Sequence, residues 1–183
     1  KLDGNPTQEF LRACGAHCEM DFLMNFVLHN RKFVRFDCGE VMAAHAEGCK
    51  FLAEYVQVQA KQLYKIMVTT NKGPADVNLY QAVKGMTAAA EVLADGGLIV
   101  STAECKEGFP DHGNFRTKLL SGMNPRALIQ DLFREHYQDS WEVLKLMNIL
   151  VQKNARIALK SSLNADEVRK AGLEPIDDVA ARV

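Results

Sequence analysis

Apolar positions run through the chain in two rhythms. Residues 7–18, "TQEFLRACGAHC", keep helical spacing behind Pro6, with Thr7 as the predicted N-cap. Two strand-length segments follow, "FLMNFVLH" and "RKFVRFDCG", and the turn and charge signals of "HNRK" between them predict a hairpin. The segment "EVMAAHAEGCKFLAEYVQVQ" returns to helical spacing through Val41, Ala44, Cys49, Leu52 and Val56. From there strands and helices alternate. "YKIMVTT" is a strand, "NKGPAD" a loop, and a helix runs from about Asn78 to Leu93, ended by "DGG". "LIVSTAE" is a strand and "CKEGFPDHGNF" a loop. Two helices follow, the first opened by Asn124 and Pro125, the second by Asp139 or Ser140. "ARIALKSS" is a strand, "NADEVRKAGL" a short helix between Asn164 and Gly172, and "EPIDDVAARV" holds one more strand or turn.

The strands past residue 60 are apolar throughout rather than alternating, as in a sheet buried on both faces. The prediction is therefore an α/β fold: three layers, α/β/α, with a mainly parallel (mixed), Rossmann-like sheet in a single domain over residues 1–183. Ligands are then expected beyond the carboxyl ends of the strands, at a switch point in strand order. If "YKIMVTT" and "LIVSTAE" are neighbours, the loops after them share a rim. Neither loop carries a phosphate-cradling GxxxxGK[ST] or GxGxxG motif.

Composition narrows the function. Hydrophobic residues make up 48% and charged residues 25%, as in ordinary globular domains, and the formal net charge of −1 argues against a nucleic-acid partner. No apolar run reaches the length of a membrane span, and "KLDGNPTQEF" has no signal-peptide core. The five cysteines, an odd number, suit a reducing cytoplasm. Cys14, His17, Cys18, Cys38, His45 and Cys49 lack the paired CxxC spacing of structural zinc, which favours the plainer expectation of buried core thiols. The chain opens without Met and is expected to be a domain of a longer protein.

The helix "DVNLYQAVKGMTAAAEVL" stands out. Leu79, Val83, Met86, Ala90 and Leu93 form the stripe that faces the sheet. Gln81, Lys84, Gly85 and Ala88 lie on another side. Asn78 followed by Gln81 is close to a capping box, in which Gln81 would bond back to the Asn78 amide. A lysine near a helix start opposes the macrodipole, and small neighbours let another surface approach it, so Lys84 reads equally as a solvated residue or as part of a carboxylate site. The loop after "LIVSTAE" offers Glu104, Cys105, Glu107, Asp111 and His112, where a Cys105–His112 nucleophilic pair is conceivable but has nothing to orient it. Trp141, the only tryptophan, is either a core anchor or the wall of a site.

Taken in order, "GNPTQEF", "AAHAEG", "DVNLYQAVKGMTAAAEVL", "GGLIVSTAECKEGF" and "DSWEVLKLMNIL" resemble the carboxy-terminal domain of the nickel-dependent lactate racemase family. The resemblance implies the substrate-closing half of a 2-hydroxyacid racemase or epimerase that removes and returns a hydride at C2 through a 2-keto acid. It implies a nickel-pincer nucleotide, tethered with the acid/base histidines in an amino-terminal domain, so that no catalytic residue and no metal ligand is expected here and the fragment alone is inactive. It places Gln81, Lys84 and Trp141 at the substrate, and Asp76, Tyr80 and Glu104 in an active-site loop. The implied partners are a small 2-hydroxy acid and the protein's own amino-terminal domain, with a homo-oligomer left open. Where the family has an aromatic before "NLYQ", this chain has "KGPAD", so lactate itself is not implied. The reading from a different class is a non-catalytic α/β module that binds a small ligand or another protein.

Overall fold

The computed structural model describes residues 3–71, 73–110 and 112–183. The chain divides between Gln59 and Ala60 into two compact units, where the sequence predicts one domain over 1–183. The helix predicted to reach Gln59 stops at Val56, and the residues after it are exposed, Val58 at 92%. This connection contains no Gly or Pro, so no local signal announces it.

The first unit holds α1 (Pro6–Gly15), the antiparallel strands β1 (Leu23–His29) and β2 (Lys32–Gly39), and α2 (Val41–Val56). Asn5 caps α1, accepting from the amides of Thr7 and Gln8 while Pro6 takes the first turn, so the predicted cap at Thr7 moves two residues back. The predicted hairpin forms. Asn30 and Arg31 adopt φ of 49° and 62°, the left-handed pair that matches strand twist in a two-residue turn. Arg35 bonds the buried Asp37 on this hairpin at 2.6 Å. Gly48 of α2 passes so close to Asn25 that a Cβ there would stand 2.4 Å from its Nδ2.

The second unit has four parallel strands, β3 (Tyr64–Thr70), β4 (Leu93–Thr102), β5 (Arg156–Lys160) and β6 (Glu174–Pro175), flanked by α3 (Leu79–Ala90), α4 (Phe115–Leu119), α5 (Pro125–Arg134), α6 (Ser140–Gln152) and α7 (Ala165–Lys170). The α/β class and the helix-flanked parallel sheet are those the pattern predicts. The strands lie in the order β3-β4-β5-β6, the order of the sequence. Among the described residues this sheet therefore has no reversal of strand order, and the expected switch point is not formed.

The same order explains the two sheet faces. Right-handed crossovers between strands laid down in sequence order all fall on one side. Accordingly Ile99, Ile157 and Leu159 pack with residues from all five helices of the unit. On the opposite face Leu98, Val100 and Ala158 meet Ile176 and Val179. Two boundaries move. α3 ends at Ala90, and β4 already begins at Leu93, so "DGG" lies within the strand segment rather than ending the helix. The short helix α4 falls inside a segment of polar and apolar residues too brief to show a period.

Ile99→Ala, at a fully buried position among the helices, is expected to cost about 2–5 kcal/mol in chemical denaturation. Val68→Ala, on an edge strand and 54% exposed, is expected to cost under about 1 kcal/mol.

Candidate functional site

Helix α3 begins where β3 delivers the chain to the carboxyl edge of the sheet. Asn78 caps it, its Oδ1 accepting from the Gln81 amide at 3.1 Å. The reciprocal half of a capping box is not made. The Gln81 side chain turns outward instead, and its Oε1 accepts from Lys84 Nζ at 2.7 Å, one turn along. Lys84 is exposed and also stands 5.6 Å from the centre of the Tyr80 ring. A neutral amide and an aromatic face hold the ammonium without neutralising it, so its charge is available to an anion.

Tyr80 is the hub of this patch. Its hydroxyl accepts from Trp141 Nε1 at 3.1 Å, and its ring meets Phe115, fully buried, edge to face at 5.4 Å. Burial raises the Tyr80 pKa; the Trp141 N–H opposes the rise, and the carboxylates of Asp139 and Glu142 add to it. Tyr80 therefore remains a phenol at neutral pH. Trp141 is 51% exposed, a wall rather than a core anchor. Four of the six predicted site residues, Gln81, Lys84, Tyr80 and Trp141, thus meet on one surface.

Asp76 and Glu104 lie elsewhere. They line a cleft of about 330 Å³ at the carboxyl ends of β3, β4 and β5, with Thr70, Asn71, Thr102 and Lys160. The two loops share a rim as predicted, because β3 and β4 pair. The Cys105 amide donates to Asp76 O, the Glu107 amide to Val77 O and the Leu79 amide to Gly108 O, which laces the loops together. Asn71 links the cleft to the patch, donating Nδ2 to Gln81 O at 3.0 Å. A Cβ on Gly85 would stand 2.2 Å from Asn71 Oδ1. The glycine beside Lys84, expected to admit a second surface, thus already admits Asn71.

The Cys105–His112 pair is not formed. Cys105 is 1% exposed, and burial, reinforced by the Asp76 charge, pushes its pKa up to about 12. His112 instead places Nδ1 2.9 Å from Asp139 Oδ2, with its ring 6.3 Å from that of Tyr80. Asp139, expected with Ser140 as one of two alternative caps of α6, makes no side-chain cap bond. It is buried and left-handed at φ 61°, a conformation that costs a non-glycine residue about 1 kcal/mol or more. Asp111 lies outside the described residues. The expectation of buried core thiols fails at Cys14, Cys18 and Cys38, which are exposed, and Cys49 is half-buried; the buried thiol is Cys105. Among the described residues no three His, Cys, Asp or Glu side chains converge as a metal site would require, so they do not offer nickel a donor set. No described helix is long and apolar enough to cross a membrane.

Asn71 and Asp139 were not singled out as site residues by the sequence. Asp139 entered there only as one of two alternative caps of α6, with Ser140.

Comparison with known proteins gives the family. The lactate racemase C-terminal domain family matches residues 58–182. The chain belongs to the lactate racemase family. A lactate racemase of Thermoanaerobacterium thermosaccharolyticum is 31% identical over 97% of this chain, and one of Lactiplantibacillus plantarum is 33% identical over 73%. The chain spans 42% and 32% of their lengths, less than half of either relative. The structure of the Thermoanaerobacterium lactate racemase apoprotein superposes with a TM-score of 0.88 at 30% identity, over 98% of this chain and 44% of that one. A Thermotoga maritima protein shares the fold at a TM-score of 0.61 and 14% identity, over 94% of this chain and 47% of its own. The family domain begins at residue 58, beside the division between the two compact units.

Cys105 supplies a pH test. A thiol whose folded pKa is raised stabilises the fold fully below its unfolded value near 9, and that contribution is lost as pH rises towards about 12. Stability is expected to fall over that interval by up to about 1.4 kcal/mol per pH unit from this group. Cys105→Ala should flatten the slope in denaturant titrations at several pH values. A slope unchanged by the substitution would assign it to other groups.

Proposed function

We propose that this chain is the substrate-binding, closing half of a 2-hydroxyacid racemase or epimerase, and that Lys84 and Gln81 seat the substrate carboxylate. The observation that carries the proposal is the Lys84–Gln81 bond on the Tyr80 ring: a lysine held in place, exposed and not neutralised, in a domain of the lactate racemase family. A carboxylate arriving at Lys84 gains a charge-assisted bond, and the Gln81 amide beside it offers an N–H donor to the second oxygen. Trp141 walls the seat, and its N–H fixes Tyr80 beneath the ammonium.

The chain's own part is to bind, to orient C2 and to exclude water when the patch is covered. The chemistry at C2, hydride removal and return through a 2-keto acid, is assigned to a nickel-pincer nucleotide carried by the amino-terminal domain of the same protein. Among the described residues no donor set for the metal is present. The cytoplasm is the proposed compartment, in keeping with exposed, unpaired thiols at Cys14, Cys18 and Cys38.

In the holoenzyme Lys84→Ala is expected to lower kcat/KM for 2-hydroxy acid racemisation about 10- to 100-fold, the loss of one charge-assisted hydrogen bond. Gln81→Ala is expected to cost less, since it removes a neutral donor. Unchanged kinetics for Lys84→Ala would take the lysine out of the site.

A further inference from the structure

The first unit makes little core of its own. Among residues 3–59 Ala44 is the single buried hydrophobic residue, whereas the second unit buries a continuous core. Its hairpin has two unlike faces. Asn25 and Asp37 approach Gly48 of α2, and the Arg35 guanidinium lies 5.4 Å from the centre of the Phe51 ring. The alternate positions face the other way. There Met24 pairs with Cys38, Phe26 with Phe36 and Leu28 with Phe33, and all six are exposed. The register shift between Val27 and Leu28 brings Phe33 onto this face. Phe33 meets Phe26 edge to face at 5.1 Å, and Phe26 stacks on Phe36 at 6.2 Å.

The three rings are 47–67% exposed, which at about 200 Å² each leaves about 300 Å² of aromatic surface bare. Met24 and Leu28 extend it to the size that marks an interaction surface. Two strands with one apolar face also need a further layer to be stable. The family boundary indicates what that layer is. The carboxy-terminal domain family begins its match at residue 58, so the hairpin lies outside that domain. Yet the Thermoanaerobacterium lactate racemase and its structure match nearly all of this chain, the hairpin included. More than half of that relative has no counterpart in these residues. A second copy of the chain would cover the phenylalanines but would leave the boundary at residue 58 without a reason.

We infer that the face of Phe26, Phe33 and Phe36 is an inner core layer of the amino-terminal domain, and that its occupant is the apolar surface of the remainder of the same polypeptide. The division between Gln59 and Ala60 is thereby a domain boundary, and α1, the hairpin and α2 belong to its amino-terminal side. The inference rests on family membership and not on the carboxylate seat of Lys84 and Gln81.

Cys38, opposite Met24 on this face, reports whether it is covered. The full-length protein is treated with iodoacetamide, folded and in urea, and the rate at Cys38 is read by peptide mass spectrometry. The folded protein is expected to react there about 100-fold more slowly than the unfolded one. In the 183-residue chain alone, Cys38 is expected to react within about tenfold of the unfolded rate at every protein concentration. Phe36→Asp in the full-length protein should raise the rate about tenfold or more, and Phe36→Leu, which stays apolar, should keep the thiol protected. Unprotected Cys38 in the folded full-length protein, or protection that survives Phe36→Asp, would overturn the inference. Protection in the 183-residue chain that grows with its concentration would give the face to a second copy and overturn it likewise.

Discussion

The candidate site depends on how closely the end of β3 approaches α3. Asn71, the first residue past the strand, inserts its amide where Gly85 has no side chain and donates to Gln81 O. Thr69 Oγ1, two residues earlier, reaches Gly85 O at 3.5 Å. These contacts fix α3 along and around its axis, with Leu79, Val83 and Met86 towards the sheet and Tyr80, Gln81 and Lys84 at the carboxyl edge. A larger residue at 85 would displace the helix, and with it every group of the patch. The glycine serves the fold first, and the site inherits its precision.

From that anchor the patch is built by local chemistry. The three-residue spacing of Gln81 and Lys84 brings their side chains together on one helical face. Tyr80 stands at their root, wedged on buried Phe115 and held by Trp141 from α6. The strand order adds the other constraint. Sequential parallel strands put the helices of the unit on one side and gather the loops after β3 and β4 at one rim.

Much of this was legible in the sequence where the signal is periodic or adjacent. The buried stripe of α3, the hairpin at "HNRK", the caps at Asn124 and Asn164 and the parallel sheet follow from spacing and turn chemistry. The side of α3 that carries Gln81 and Lys84 was legible, but the partner of each was not. Gln81 as a cap and Gly85 as an open face were local readings, overruled by Lys84 and by Asn71 across the fold. His112 and Asp139 are 27 residues apart, and no period links them. A Cys105–His112 pair was conceivable from their closeness in sequence, but burial decides the state of the thiol. The break after Gln59 carried no Gly or Pro to mark it.

The most direct measurement is a crystal structure of the protein with a bound 2-hydroxy acid. One carboxylate oxygen is expected within about 2.7–3.2 Å of Lys84 Nζ, with Trp141 against the ligand. A carboxylate seated instead in the cleft of Thr70, Thr102 and Lys160, with Lys84 still bonded only to Gln81, would contradict it.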